Sequence, residues 1–163
     1  MWDCETGSCI NKLAVTAPIR SCTFSYSSNL IVYTTDDVFS SIPEINIIDV
    51  NSGEHMTGKD KLFSLQSIID GTTSKTISTL WGAFDESVVT GHENGTLAKW
   101  DLRNGEAPSI DIRPHSAQIN DMQFNEKQNM FITASKDNVA KVRNFYFFLH
   151  NSLTIYLSVQ IAF

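Results

Sequence analysis

The chain has 163 residues, with 18 acidic residues against 12 lysines and arginines and a formal net charge of −6. That length suits one ordinary domain, and that charge, with no run of Lys or Arg to offset it, argues against direct binding to a nucleic-acid backbone. The three cysteines, Cys4, Cys9 and Cys22, are too few and too unevenly spaced for a disulfide framework or a metal site. No signal peptide opens the chain, so a cytoplasmic setting is expected.

In chain order, the first signal is Trp2-Asp3-Cys4-Glu5-Thr6-Gly7, an apolar-acidic pair followed by a glycine turn. Ile48-Asp49 precedes Val50-Asn51-Ser52-Gly53, and Trp100-Asp101 precedes Leu102-Arg103-Asn104-Gly105, in the same manner. The aspartates at 3, 49 and 101 act as a ruler, spaced 46 and 52 residues apart, near the roughly 40–45-residue period of a four-stranded propeller blade.

Within each unit a short alternating run comes first: Ile19–Phe24, Ile77–Trp81 and Ile119–Phe124. A polar cluster follows, then a second apolar run: Leu30–Tyr33, Val88–Thr90 and Met130–Thr133. The tight turns Glu93-Asn94-Gly95 and Lys136-Asp137-Asn138 use residues that tolerate positive φ, and a third strand closes each unit. No helical period is sustained anywhere. The expectation is an all-β, partial WD-repeat β-propeller of roughly three four-stranded blades. It spans 1–143, with blades near 13–66, 75–113 and 115–143.

The third unit carries a candidate polar network. In a WD repeat, which this unit resembles, a histidine before the first strand bonds a hydroxyl in the second, the hydroxyl a Trp indole in the third, and an aspartate in the turn completes the set. His115, Ser135 and Asp137 occupy those places, and Arg143 stands eight residues after Ser135 where the Trp belongs. In the preceding unit Trp100 is present, Asn94 takes the Asp place and His92 the Ser place. Trp2, Asp3, Trp100 and Asp101 are expected to serve the same structural network. A buried imidazole needs both nitrogens satisfied and a buried indole N–H needs an acceptor, so this reading outranks a Ser-His-Asp nucleophile. His92-Glu93 reads as a polar hairpin turn on a blade rim rather than a base or ligand pair. Gly91 through Gly95 lacks the lysine and following helix of a phosphate loop. Trp81 and Trp100 read as packing aromatics. No catalytic, cofactor or metal site is expected.

Several strings are more specific than Trp-Asp. Trp2-Asp3-Cys4-Glu5-Thr6-Gly7, Gly91-His92-Glu93-Asn94-Gly95, His115-Ser116-Ala117-Gln118-Ile119-Asn120-Asp121 and Thr133-Ala134-Ser135-Lys136-Asp137-Asn138 resemble the WD-repeat subunit I of eukaryotic translation initiation factor three. The resemblance runs from about Met1 to Val142. It implies a non-catalytic propeller subunit that docks on sister subunits, notably B and G, and meets the small ribosomal subunit through the complex. A receptor-associated WD-repeat signalling adaptor that binds receptor kinases is the competing resemblance. An enzyme or membrane protein rests only on the triad-like trio and the C-terminal tail.

From Arg143 the sequence leaves the repeat, and residues 144–163 form an apolar tail without a single Asp, Glu, Lys or Arg. Its polar residues count against a membrane helix, and no membrane contact is expected. From Leu153 to Phe163 it alternates with a period of two, which suits a strand. Read-through or a variant exon is the expected origin of the tail. Three blades leave two sheet faces open, so an oligomeric or poorly soluble chain is expected. The loop from Asp36 to Glu44 and the segment Thr57 to Lys61 are long connections of the kind that carry binding residues or simply vary.

Overall fold

The computed structural model describes residues 1–12, 14–36, 43–50, 63–66, 68–69, 72–82, 85–103, 108, 110–125, 130–144 and 157–159. The glycine turn after Asp49, the middle of the 36–44 loop, the 57–61 segment, Asn104-Gly105 and most of the tail lie outside the described residues.

Three four-stranded antiparallel sheets follow one another along the chain. The first contains β1 (Ile19–Phe24), β2 (Leu30–Thr35), β3 (Glu44–Asp49) and β4 (Phe63–Gln66) in that order. A two-stranded ribbon, β5 (Ile68–Ile69) and β6 (Thr72–Thr73), precedes the second sheet. That sheet is built from β7 (Thr76–Trp81), β8 (Ser87–His92), β9 (Leu97–Asp101) and β10 (Ile110–Ile112). The third has β11 (Ile119–Asn125), β12 (Met130–Ser135), β13 (Ala140–Asn144) and β14 (Leu157–Val159). Among the described residues there is no α-helix, as the period-two patterning of the sequence led one to expect. None is long and apolar enough to cross a membrane.

The internal repeat is visible in the register. In each sheet the first strand carries an irregularity at the same place: between Ile19 and Ser21, between Thr76 and Ser78, and between Ile119 and Asp121. A bulge there re-aims the strand and fixes its register. The residue after the second strand bonds the residue before the first in every blade, Asp36 to Pro18, Glu93 to Lys75 and Lys136 to Gln118, each at 2.9 Å. These matches make Tyr33, Thr90 and Thr133 equivalent, as are Thr35, His92 and Ser135.

The tail contributes to the third sheet. Leu157–Val159 pairs with Ala140–Val142 of β13 as the fourth strand. The alternation of the tail is what permits this, since a strand needs only its period and its backbone groups to extend a ladder.

The core lies between blades rather than within one, as stacked sheets require. Val32, Ile45 and Ile47 of the first sheet pack on Trp81, Val88, Ala98 and Trp100 of the second. Val89 and Leu97, on the opposite face of the second sheet, pack on Ile119, Met122 and Phe131 of the third. Hydroxyls stitch the inner strands: Ser21 Oγ lies 2.9 Å from Thr79 Oγ1, and Ser78 Oγ donates to the Ile119 carbonyl at 3.4 Å. The Asp36 carboxylate spans the first junction, held by Arg20 and by Lys75 at 3.3 Å.

Candidate functional site

Two buried histidines anchor equivalent polar networks in the second and third blades. His115 precedes β11 and is 2% exposed. Its Nδ1 lies 2.9 Å from Asp137 Oδ2 and its Nε2 2.8 Å from Thr133 Oγ1. An ionised carboxylate can only accept, so Nδ1 carries the ring proton and Nε2 accepts from the Thr133 hydroxyl. Asp137 also takes the amides of Ser116, at 3.1 Å, and Val139, at 3.0 Å. Burial would raise the Asp137 pKa, but the bonds from His115, Ser116 and Val139 and the His115 charge outweigh it and hold it below the usual value. Burial pushes the His115 pKa down, and the charges of Lys141 and Arg143 act in the same direction against the pull of Asp137.

The hydroxyl is therefore Thr133, not Ser135. Ser135 Oγ donates to the Ala117 carbonyl at 3.0 Å and accepts from the Asp137 amide at 3.2 Å, which ties the turn to the loop before β11. Thr133 and Ser135 lie two apart on one strand and share a face, so spacing alone does not separate them. The ring decides. With Nδ1 committed to Asp137 in the turn, Nε2 points two residues deeper along β12.

In the second blade the same logic is met by different residues. Trp100 Nε1 donates to Thr90 Oγ1 at 2.8 Å, and Thr90 Oγ1 lies 2.7 Å from His92 Nε2. His92 Nδ1 lies 3.4 Å from the Ser74 carbonyl, an acceptor, so Nδ1 again carries the proton. The imidazole comes from β8 itself instead of from a loop. His92 is fully buried, contrary to its expected place in a solvent-facing rim turn. Desolvation pushes its pKa from 6.5 down to about 4, so it is neutral at physiological pH. Asn94 caps the turn by accepting the Thr96 amide at 3.0 Å.

Among the described residues, the first blade has no such network. Tyr33 stands at the threonine position, Thr35 at the His92 position and Ile48 at the indole position, in line with the Ile48-Asp49 substitution in the ruler.

The aspartates of the Trp-Asp pairs do a separate job. Asp3 Oδ1 accepts the Glu5 amide at 2.9 Å, and Asp101 Oδ1 accepts the Arg103 amide, also at 2.9 Å. Both are side-chain-to-backbone turn caps two residues on. Trp2 is 68% exposed and contributes only a backbone bridge to Cys9, so its assignment to a buried network is corrected. Trp81 and Trp100 lie in the junction core, and Trp81 Nε1 donates to the Thr23 carbonyl across the junction at 3.2 Å.

Sequence reasoning missed two features. Asp85, at φ 57°, accepts the amides of Tyr26, at 2.6 Å, and Ser27, at 3.1 Å, and so clasps the second blade to the first. Nothing in the repeat marks it. The second is a hollow of about 560 Å³ lined by Arg113, Pro114, His115, Ser116, Asp137, Val139 and Lys141. Among the described residues, no group of three or more His, Cys, Asp or Glu side chains is placed to hold a metal.

The WD domain, G-beta repeat family model matches residues 107–144. In fold, the structure is similar to the β-propeller domain of Cps50 (Swd1) from Myceliophteria thermophila, with a TM-score of 0.66 and 15% identity over 88% of this chain and 44% of that one. With three successive four-stranded sheets, the chain is a WD-repeat β-propeller chain. In sequence it is similar to proteins named eukaryotic translation initiation factor 3 subunit I. The relative from Drosophila mojavensis is 38% identical over 142 residues, covering 87% of this chain and 43% of that protein. Those from Bombyx mori and Nematostella vectensis are each 39% identical over 87% of this chain, covering 42% and 41% of their own lengths. The chain thus spans less than half the length of the curated relatives it matches.

Proposed function

We propose that the chain acts as a non-catalytic scaffold subunit of the eukaryotic translation initiation factor three complex, working in translation initiation through protein–protein contacts. The observation that carries this reading is the sustained identity to subunit I proteins over 142 residues, across all three blades. The chemistry of the chain supports a scaffold. The hydroxyl that sits against each histidine, Thr90 or Thr133, is fully buried and engaged in the blade. Ser135, the one triad-like nucleophile, bonds Ala117 and Asp137 and not His115. A hydroxyl placed to hold strands together is not placed to attack a substrate.

The partners this reading implies are sister subunits, B and G foremost, with the small ribosomal subunit met through the complex, in the cytoplasm. The net charge of −6 supports protein partners over direct nucleic-acid contact. The test is reconstitution of the full chain with purified B and G subunits, read by size-exclusion co-elution. Co-elution with either supports the reading. Failure to co-elute with both, alongside capture of receptor kinases from extract, would replace it with the signalling-adaptor reading.

A further inference from the structure

The hollow beside His115 carries charge that the blade network does not use. Arg113 is exposed, and no ion pair or hydrogen bond engages its guanidinium among the described residues. The Lys141 ammonium faces the same hollow, held by one bond to the Pro114 carbonyl and, among the described residues, by no carboxylate. The Ser116 hydroxyl makes no hydrogen bond among the described residues, while the Ser116 amide is fixed by Asp137. Most other described cations are engaged: Arg20 and Lys75 on Asp36, Arg103 on Asp101 and Glu86, and Lys136 on Gln118. In a chain of net charge −6, two cations share this hollow with one carboxylate, Asp137, whose oxygens are already taken by His115 and by the Ser116 and Val139 amides, so the hollow keeps a net positive charge.

The repeat supplies an internal control. Lys141 pairs with Thr133 as Ala98 pairs with Thr90, so Lys141 and Ala98 hold the same position in successive blades. Ala98 is fully buried and serves packing alone. The blade architecture therefore has no need of an ammonium there. Its tether to Pro114 fixes it at the hollow's wall, which lowers the ordering cost of binding a counter-charge. Arg113 adds a planar fork that matches a carboxylate in two bonds.

We propose that this hollow is a docking site for an acidic peptide segment of a partner protein, with Lys141 and Arg113 receiving its aspartate or glutamate carboxylates and Ser116 adding a hydroxyl donor. Two cations suit one or two carboxylates. They form no track along which a nucleic-acid backbone could run. The inference holds whichever complex the chain joins, and it stands apart from the assignment to translation initiation.

Fluorescence anisotropy of a fluorescein-labelled octaglutamate peptide titrated with the full chain tests it, with an eight-nucleotide oligouridylate as the competing probe. The expected result is peptide binding that weakens with added salt and falls at least about tenfold in the Lys141→Ala, Arg113→Gln double variant. Lys12→Gln, at an exposed cation remote in sequence, should leave it unchanged. The position equivalent to Lys141 is already alanine in the second blade, so the variant suits the fold. Arg113→Gln alone, at an exposed position, carries the test should the double variant unfold. No peptide binding, equal binding by the variants, an equal loss in Lys12→Gln, or tighter binding of the oligouridylate would each overturn the proposal.

Discussion

Trp100 and Thr90 are joined by an indole N–H bond of 2.8 Å, and the same threonine oxygen lies 2.7 Å from His92 Nε2. All three side chains are fully buried. A donor, a hydroxyl and an acceptor in series leave no polar atom of the set unsatisfied, which is what makes their burial tolerable.

Trp100→Phe keeps most of the packing and removes the donor. It should cost about 1–3 kcal/mol in urea unfolding. Thr90→Val leaves two buried groups without their shared partner and should cost at least as much. The double variant should lose less than the two single losses combined, because both act on one network. Additive losses would mean that the indole and the hydroxyl are energetically independent.

The first three strands of each blade were legible because each unit repeats an alternating run, a polar turn and a second run, whereas the fourth strands Phe63–Gln66 and Ile110–Ile112 carried no such mark. Even the tail's strand could be read from its alternation. The network was legible in kind but not in register. Counting eight residues back from the indole position lands on Ser135 or His92, whereas the structure counts ten, from Trp100 to Thr90 and from Arg143 to Thr133. Sequence spacing gives a face of a strand; which of two residues on that face meets a ring depends on the ring's depth, a tertiary fact. The Asp85 clasp and the Arg113–Lys141 hollow join separate elements with no repeating pattern, so nothing local announces them.

Gly95 has φ 87°, and a Cβ there would sit 2.3 Å from the His115 carbonyl oxygen and 2.9 Å from that of Ala117. Both obstacles are backbone, so neither swings aside. Gly95→Ala should destabilise by more than the roughly 1–3 kcal/mol of a strained backbone position alone. At Gly91 the nearest atoms are the side chains of Ser78 and Ile119, which have some freedom to shift. Gly91→Ala should therefore be the milder change when thermal midpoints are compared.

Acid should weaken the fold in two stages. Desolvation holds folded His92 at a pKa of about 4 against an ordinary 6.5. As pH falls below about 6.5 the unfolded chain takes up this proton and the folded chain does not, so stability drops through that window, by about 3 kcal/mol at pH 4. His115, lowered mainly by burial, adds a loss of the same sign. Asp137 and Asp85 supply the second stage, with the same sign but at lower pH. Their folded pKa values are depressed, so their contribution is present above the usual carboxylate range and is lost as pH falls through the folded values. Urea unfolding at pH 7.5, 5.5 and 4.5 should show the first stage, and His92→Gln should flatten it. A His92→Gln profile parallel to the wild type would rule out His92 as its source.

Asp85 spans the first junction. Burial opposes its ionisation, but bonds from the Ser27 side chain, the Ser27 and Tyr26 amides and the Ser25 side chain hold its pKa below the usual value. Asp85→Asn keeps one acceptor oxygen and loses the charge. It should cost roughly 1–3 kcal/mol and speed hydrogen exchange at the Tyr26 and Ser27 amides. Unchanged exchange there would mean that the junction is held by its apolar core alone.

A scaffold in translation initiation, as proposed above, travels with its complex. Sucrose-gradient sedimentation of extract from cells expressing the tagged full chain tests it most directly, with subunits identified in each fraction. The expected result is that the chain migrates with initiation-factor-three subunits, B and G among them, in fractions that also hold the small ribosomal subunit. A chain found only in light fractions, free of every initiation-factor subunit, would contradict it.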